Sequence, residues 1–448
     1  MSKSKTKNET VKRISQLTVI NPTAAGIDVS DKEMMVAYPI GSGQLEVRCF
    51  GCFTSDLHSI AKILRKFSIT SVAMESTGVY WIPLFLLLQE YGFEVYLVNA
   101  KHVKNVTGRK DDESDAEWIQ KLHSCGLLKA SFQPDNLTRT LRSIVRHRKN
   151  LERTCSSYIN RMQKALELMN IKIHTIISDI DGKTGLLIIE AILAGERNPE
   201  ILADLRDRRI KASREEIIKS LEGHYTTEHL FELRQCYQLY CTHREMIGEC
   251  DREIEKQLIE QVASKNEGVI TDISEAKRKV TKKHKLPFNA TAYLKEIFGV
   301  DVTEVFGISE LSALAILSEV GTDVTKWKTE NHFTSWLGLA PNTKISGGKV
   351  ISSRIMKKKH HAGQAFRMAA NGLKNSKSPL GDYYRRIKGK AGAGKAVVAT
   401  ARKLAIIFYI MVANQQAFDP KALIEYQEKS KQKKINQLKR KLELLEAA

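Results

Sequence analysis

Short apolar runs separated by amphipathic segments fill the N-terminal part of the chain. Apolar runs bounded by polar and glycine residues are typical of strands, and apolar residues three and four apart are typical of helices. The predicted strands span 24–29, 33–39, 45–53, 71–75 and 94–98, with helices over 60–66 and 82–89. Three strands followed by a βαβα order predict a ribonuclease-H-like sheet.

Beyond residue 137 the apolar positions change to steps of four and three, which is the heptad pattern of packed helices. One such seam runs from Leu137 to Met169, with Arg148 at one of the heptad positions where an apolar residue is expected. A second runs from Leu233 to Leu258 and is interrupted at Arg244 and Asp251. The pattern predicts either an antiparallel helical hairpin or a coiled coil between subunits, and it leaves these two alternatives open.

Composition shifts divide the 448 residues into an α/β part and a longer, mostly helical part. A helix over 310–320 that ends at Gly321 lies in the C-terminal part. The predicted segments are a basic flexible arm (1–21), an α/β domain (22–130), a helical or coiled-coil middle with a basic linker at its end (131–290), a mostly helical C-terminal domain (291–418) and a charged helical tail (419–448). The predicted fold class is therefore α/β plus α.

The chain is strongly basic, with 71 Lys and Arg against 51 Asp and Glu, and a net charge of +20. Between residues 344 and 403 there are sixteen basic residues and one acid, Asp382. This concentration favours a polyanionic partner, DNA or RNA, over an ordinary solvated face. The seven scattered cysteines indicate a reducing cytoplasm, and the apolar runs are too short to predict a membrane span.

Four acidic residues suggest a metal site. Asp28 and Glu75 stand where apolar strands end, so both are expected at one edge of the sheet. Asp112 and Asp115 are three residues apart, and a helix opening there would carry both on one face. Converging carboxylates repel each other unless cations lie between them, and hard oxygen ligands suit Mg²⁺. The sequence therefore predicts a magnesium site of the kind that clamps a phosphodiester.

A second chemical centre is predicted at Ser346, in the segment Lys344-Ile345-Ser346-Gly347-Gly348-Lys349. The glycines allow the backbone to bend sharply beside the hydroxyl, and from Lys344 to residue 359 there are six basic residues and no acid. A positive field stabilises a serine alkoxide and the charge that develops on a phosphate. A plain turn is the alternative interpretation, and Ser352 and Ser353 are weaker candidates for the attacking hydroxyl.

Together these motifs resemble the DEDD-type insertion-sequence transposases, the Piv-like family that includes bridge-RNA-guided recombinases. The resemblance covers about residues 24–120 and 300–412. It rests on Gly26-Ile27-Asp28-Val29-Ser30, Glu75-Ser76-Thr77-Gly78-Val79-Tyr80-Trp81, the segment from Gly108 to Trp118, Leu337-Gly338-Leu339-Ala340-Pro341, Ser346-Gly347-Gly348-Lys349 and Ala401-Arg402-Lys403-Leu404.

The resemblance implies a RuvC-like domain in which Asp28, Glu75, Asp112 and Asp115 bind Mg²⁺, and a C-terminal transposase domain in which Ser346 attacks DNA. It further implies a covalent phosphoserine link, a composite site in a dimer or tetramer, and a structured guide RNA that pairs with target and donor DNA. The residues expected to contact nucleic acid are Lys110, Lys344, Lys349, Arg354, Lys357, Lys358, Arg402 and Lys403.

Functions other than DNA recombination are also compatible with these motifs. The chain is alternatively a metal-dependent, RuvC-like nuclease in which Ser346 only binds phosphate, or a nucleic-acid-binding protein without catalysis. Tyr383 and Tyr384 are possible recombinase nucleophiles, although tyrosines beside arginines on a helix are commonly packing residues or phosphate contacts. The segment 389–395 resembles a Walker loop but lacks the magnesium-binding Ser or Thr, so a basic turn between helices is the expected structure.

Overall fold

A computed structural model describes residues 18–41, 43–99, 103, 114–265, 286–355, 360–421 and scattered positions between 423 and 439. Most of the predicted N-terminal arm, most of the basic linker and much of the charged tail lie outside the described residues. Contacts divide the chain into two compact units, Met1–Gln133 and Pro134–Ala448. The finer division into five segments stays a prediction.

The first unit is built on a five-stranded sheet in the order β3-β2-β1-β4-β5. Its strands are β1 (Ala24–Val29), β2 (Met34–Gly41), β3 (Gln44–Phe50), β4 (Ser71–Glu75) and β5 (Glu94–Val98), and its helices are α1 (Thr54–Lys66), α2 (Trp81–Glu90) and α3 (Asp115–Ser124). The first three strands are antiparallel, and β1, β4 and β5 are parallel. The predicted mixed α/β domain with its three-strand meander is confirmed, and it is consistent with a ribonuclease-H-like fold.

Helices cover both faces of this sheet. Ile27 and Met74 belong to a core shared with α1 and α2, whereas Ala73 belongs to a second cluster with Trp118 and Leu122 of α3. Strands that are buried on both faces carry continuous apolar runs, which is why β1 and β4 are readable from the sequence. The two largest shifts from the predicted boundaries are at the first helix, which begins at Thr54 rather than at 60, and at β3, which ends at Phe50 rather than at 53.

The start of α3 corrects one prediction. Ser114 is the N-cap, with an extended backbone (φ −65°, ψ 159°), and its hydroxyl accepts a hydrogen bond from the Glu117 amide. The Glu117 carboxylate accepts one from the Ser114 amide in return, which completes a capping box. This helix begins at Asp115, so the prediction that it carries Asp112 and Asp115 on one face is wrong. Asp112 itself lies outside the described residues.

In the described residues of the second unit there are two long helices, a set of shorter helices and one hairpin. Its helices are α4 (Asn136–Leu168), α5 (Ile173–Ile176), α6 (Lys183–Ala194), α7 (Pro199–Asp204), α8 (Arg214–Leu221), α9 (Thr227–Lys265), α10 (Ala290–Phe298), α11 (Glu310–Val320), α12 (Glu330–Trp336), α13 (His361–Gly372), α14 (Pro379–Ala391) and α15 (Ala393–Asn414). The hairpin strands are β6 (Lys344–Ser346) and β7 (Lys349–Ser352), and two 3₁₀ turns span Val302–Glu304 and Leu373–Asn375.

The two heptad seams meet within one chain. Arg148 of α4 pairs with Asp251 of α9, and the Tyr158 ring of α4 contacts the His243 ring of α9 at a centroid distance of 5.2 Å. Because the partner numbers fall as the α4 numbers rise, the helices are antiparallel. Of the two alternatives, the structure therefore shows the hairpin.

Arg148 and Asp251, which are polar residues within the two apolar seams, form an ion pair with each other. The Arg148 guanidinium lies 2.5 Å from the Asp251 carboxylate, and both side chains are buried. A charge in a packed seam is tolerated where it has a hydrogen-bonded partner.

An aromatic core holds the C-terminal helices together. Phe333 of α12 packs against Phe366 of α13 and Phe408 of α15, and Phe298 of α10 meets Phe408 edge to face. Arg142 and Arg146 of α4 both pair with the buried Glu319 near the end of α11. The predicted helix over 310–320 is confirmed, with Ser309 as its N-cap and Gly321 at its C-cap.

Among the described residues one helix, α15, is long and apolar enough to cross a bilayer. Half of its apolar stretch is buried inside the protein, where Leu404 and Phe408 face the aromatic core. A core helix passes the same test of length and composition, so this helix is weak evidence for a membrane span.

Candidate active site

Asp28 and Glu75 stand side by side at one edge of the first unit's sheet. In the parallel pairing of β1 and β4, Ile27 lies opposite Met74. Asp28 and Glu75 are the next residues on the two strands, so they lie opposite each other across the strand pair. Neighbouring strands are about 4.8 Å apart, and residues in register point to the same face of the sheet. Both carboxylates therefore point away from the core that holds Ile27 and Met74.

The helix α3 covers this same face. The Gln120 side-chain amide donates to the Ala24 carbonyl at 3.1 Å, near the start of β1. Gly26, further along β1, lies so close to α3 that a side chain there would collide with the backbone of Ala116 and Gln120. The helix thus runs antiparallel to β1, and its first residue, Asp115, lies toward the end of β1 that carries Asp28.

Three of the four predicted carboxylates therefore lie at the same edge of the first unit, and Asp112 is outside the described residues. The Glu75 carboxylate accepts a hydrogen bond from the Thr77 hydroxyl at 3.3 Å. Within the described ranges, no group of three or more His, Cys, Asp or Glu side chains is arranged to hold a metal. The donor type and the placement of these carboxylates fit a hard divalent cation.

Ser346 is the last residue before the turn of an exposed hairpin. It pairs with Lys349 across the two glycines, and Ile345 pairs with Val350. Gly347 and Gly348 both have positive φ, 54° and 74°, as a two-residue type I′ turn requires. The sharp bend predicted from the sequence is therefore present, and it leaves the serine exposed.

The two faces of this hairpin differ in chemistry. Paired residues in an antiparallel ribbon share a face, and neighbours along a strand alternate. Ser346, Lys349 and Lys344 therefore share one face, whereas Ile345 and Val350 share the other. A hydroxyl flanked by two ammonium groups is suited to meet a phosphate.

One backbone hydrogen bond closes the base of the hairpin, and α13 holds the end of α12, from which the chain leads into the hairpin. The Asn342 amide donates to the Arg354 carbonyl at 3.0 Å, and the Arg367 guanidinium donates to the Gly338 carbonyl at 2.8 Å. A side chain at Gly363 would collide with the Leu337 carbonyl. Sequence reasoning missed Gly363 and Arg367, because a glycine and an arginine in a helix carry no local signal of a contact with a distant loop.

Two family models match the chain. One, described as transposase, is the DEDD transposase model of the IS110 type, and it matches residues 25–171. The other, described as transposase of the IS116/IS110/IS902 family, matches residues 301–385. Together they cover just over half of the 448 residues. The chain belongs to the IS110-type transposases.

The transposase is accordingly an enzyme that cuts and rejoins DNA. The first match contains the carboxylate edge, and the second contains the hairpin with Ser346. The resemblance predicted from the motifs is confirmed, and DEDD-type transposases in general use divalent metal ions. No curated protein matches this chain.

The basic residues expected at nucleic acid fall into three groups. Lys344, Lys349 and Arg354 of the transposase are exposed on or beside the hairpin. Arg402 donates to the Asn331 side chain at 2.9 Å, and the Lys403 ammonium lies 5.0 Å from the centre of the Tyr383 ring. The remaining three lie outside the described residues: Lys110, Lys357 and Lys358.

The competing motifs have ordinary structural roles in the transposase. Tyr384 is buried, and the Tyr383 ring is in contact with the cations of Arg386 and Lys403. The Walker-like segment 389–395 is the junction of α14 and α15, with Gly392 at positive φ between them. The predictions of packing and of a basic turn are the ones that the structure supports.

Proposed function

We propose that this transposase cuts and rejoins DNA through a covalent phosphoserine at Ser346, with help from Mg²⁺, and that a structured RNA directs it to its sites. The observation that carries the proposal is the hairpin: an exposed serine at a sharp turn, on the face that also carries Lys344 and Lys349. The reaction is expected in the prokaryotic cytoplasm, where the DNA of the mobile element lies.

In the proposed first step, the Ser346 hydroxyl oxygen attacks phosphorus, and the bond from phosphorus to the 3′-oxygen breaks. The serine proton ends on the released 3′-hydroxyl, and the other strand end stays attached to the protein as a phosphodiester. In the second step a 3′-hydroxyl of the partner strand attacks the same phosphorus and releases Ser346. The energy of the phosphodiester is kept, so resealing needs no ATP.

Lys349 is proposed to stabilise the charge that develops in both steps. It pairs with Ser346 across the turn, so its ammonium can reach the phosphoryl oxygens while the hydroxyl reaches phosphorus. Lys344 lies on the same face, two residues before the serine. The exposed hairpin has no acidic side chain of its own to neutralise these two charges.

Asp28, Glu75, Asp112 and Asp115 are proposed to hold the magnesium. Bound there, Mg²⁺ would supply Lewis-acid polarisation of a phosphoryl oxygen. The carboxylates at the ends of β1 and β4 are held in place because both strands are rigid and buried. They would therefore define where the phosphate binds. The proposal requires that these carboxylates and Ser346 act on the same phosphate, with the serine supplied by the same chain or by another copy.

The direct test is a search for a covalent adduct between the protein and DNA. Purified protein is incubated with its RNA, DNA and Mg²⁺, and the adduct is detected on a denaturing gel. We expect Ser346→Ala to abolish it, and Ser352→Ala and Ser353→Ala, which change hydroxyls in the same segment, to retain it. An adduct that persists in Ser346→Ala and disappears in one of the other two variants would identify that other serine as the nucleophile.

Guidance by RNA has its own test. The net charge of +20 favours polyanionic partners, and RNA is one of these. RNA that co-purifies with the protein is sequenced and compared with the DNA flanking its reading frame. A match to the flanking DNA supports guidance, and an absence of enriched RNA contradicts it.

The second candidate is a metal-dependent nuclease that forms no covalent intermediate. The carboxylate edge favours it, because that edge belongs to a compact unit with its own core. This candidate predicts cut DNA with free ends and no adduct, and equal cutting by wild type and Ser346→Ala.

A further inference from the structure

Five basic residues form a stripe along one face of α4. They follow one another at steps of three and four, so the helix places them one above the other: Arg139, Arg142, Arg146, Lys149 and Arg153. The stripe is about 21 Å long, because a helix rises about 1.5 Å per residue. None of the five residues is buried. The stripe therefore presents a line of positive charge to the solvent.

The N-terminal half of the stripe has a structural role. Arg142 and Arg146 both pair with the buried Glu319 of α11, and Arg142 also donates to the backbone carbonyls of Ser318 and Glu319. The carboxylate of Asp135, the N-cap of α4, adds a second negative charge near Arg142. These contacts hold α4 against α11, and they explain this half of the stripe without a ligand.

The C-terminal half of the stripe lacks this balance. In the described part of the chain, no ion pair joins Lys149 or Arg153 to a carboxylate. Like charges four residues apart destabilise a helix, so these two residues repel each other in the free protein. Beside them lies His361, the first residue of α13: burial lowers its pKa, the charges of Arg146, Lys149 and Arg153 lower it further, and Glu319 raises it.

This half of the stripe and His361 together are called the α4–α13 cluster, which consists of Arg146, Lys149, Arg153 and His361. Ile355 pairs with Pro341 at the base of the serine hairpin, and His361 follows Ile355 by six residues, which span at most about 22 Å. From its base to Ser346 the hairpin is about 17 Å long. A strand held at Ser346 therefore reaches the cluster within about 39 Å, or about twelve nucleotides.

We infer that the α4–α13 cluster binds the sugar–phosphate backbone of the nucleic acid on which this transposase acts. Charge complementarity carries the inference, because the partner is a polyanion and the charges of Lys149 and Arg153 repel each other until anions neutralise them. Phosphate contacts fix the register of a strand without reading its sequence. The cluster would thus set where the strand lies relative to Ser346. The distance from the cut rests on the proposed function, and the backbone contact itself does not.

Matched charge removals on one helix test the contact in the full-length protein. Lys149→Gln combined with Arg153→Gln removes one lysine and one arginine from the cluster. Arg161→Gln combined with Lys164→Gln removes the same two charges from exposed positions of α4 outside the stripe. Glutamine is a good helix former at all four positions. Filter binding at several salt concentrations is measured for a DNA duplex that contains the cut site and, separately, for an RNA of the same sequence.

We expect the cluster variant to flatten the dependence of log K on log salt by up to about two units for at least one probe, and the control variant to match wild type. DNA and RNA present the same phosphates, so the probe that responds identifies the strand. Equal slopes in the two variants, whether unchanged or flattened, overturn the inference. The cluster variant should also unfold at a temperature no lower than the control, since repulsion is removed. A lower midpoint would assign these residues to structure and overturn the inference.

Neutral methylphosphonates locate the contact along the strand. One phosphate at a time is replaced in the probe that responds, and for DNA the sensitive positions are expected within about twelve nucleotides of the cut. At these positions we expect the replacement to weaken binding of wild type several-fold and to leave the cluster variant unaffected. Equal losses in both proteins at every position overturn the inference. Absence of a Ser346 adduct would instead contradict the phosphoserine, and the binding comparison would still stand.

Discussion

Asp28 and Glu75 are neighbours because of the register between two parallel strands. Each residue follows a buried position, Ile27 or Met74, and those two positions lie opposite each other. The identity of each carboxylate was predictable, because an acid that directly follows an apolar run stands out. The approach of Asp115 depends on Gly26, whose lack of a side chain lets α3 lie against β1.

Asp28→Asn tests the carboxylate edge. The substitution keeps the shape of the side chain but removes the charge that a divalent cation requires. We expect DNA cleavage to slow by roughly 100-fold or more, as is typical for the loss of one electrostatic group in an active site. Single-turnover cleavage measured over a range of Mg²⁺ concentrations checks this.

The matched control is Asp31→Asn, which changes an exposed carboxylate three residues further on. It should cleave at the wild-type rate. Equal rates for Asp28→Asn and wild type at every Mg²⁺ concentration would show that Asp28 does not take part in metal-dependent cleavage.

The helices and the hairpin take their positions from contacts between segments distant in sequence. The helix α13 lies against the end of α12 because Gly363 lets the Leu337 carbonyl come close. The helices α4 and α9 are aligned in part by one ion pair between residues that are 103 positions apart. The heptad spacing predicted both long helices, but it did not predict that Arg148 and Asp251 would pair.

Gly363→Ala tests the contact between α13 and the segment that leads into the hairpin. A methyl group there would collide with the backbone, and such overpacking typically costs about 1–3 kcal/mol. We expect a lower midpoint of thermal unfolding and weaker formation of the DNA adduct. Gly372→Ala, in the same helix, meets nothing within 4 Å and should be neutral or stabilising. Equal midpoints for the two variants would contradict the importance of this contact.

A double-mutant cycle tests the buried ion pair. Arg148→Met leaves the Asp251 carboxylate buried without its partner, and breaking such a pair typically costs about 3–5 kcal/mol. Adding Asp251→Leu should restore most of the free energy of unfolding, because the remaining contact is apolar. Denaturant unfolding of the single and double variants measures the coupling. Additive effects of the two substitutions would show that the charges do not interact.

Across the whole chain, charge is the property that bears most on DNA binding. The excess of twenty positive charges is an average, and the exposed lysines of the hairpin are one place where it is concentrated. Binding to DNA is therefore expected to weaken steeply as salt rises, because each neutralised phosphate releases counterions.

Lys344→Gln combined with Lys349→Gln tests this charge dependence. We expect the slope of log K against log salt concentration to become shallower by up to about two units, since two phosphate contacts are removed. Fluorescence anisotropy at several salt concentrations measures the slope. Lys62→Gln combined with Lys66→Gln, which changes two lysines of α1 in the first unit, is the control for net charge alone. A slope equal to wild type in the double variant would place the phosphate contacts elsewhere.

The amino-acid sequence by itself determined the local structure of this transposase. Buried strands show as apolar runs, heptads show as spaced apolar positions, and two glycines after Ser346 show as a sharp turn, because each pattern reflects interactions between near neighbours. The motifs around Asp28, Glu75 and Ser346 were sufficient to indicate the family.

Tertiary structure decided what these local elements bring together. It paired Arg148 with Asp251, and it started α3 at Asp115 rather than at Asp112. These outcomes depend on contacts between residues far apart in the chain, and spacing along a sequence does not record which distant surfaces will meet.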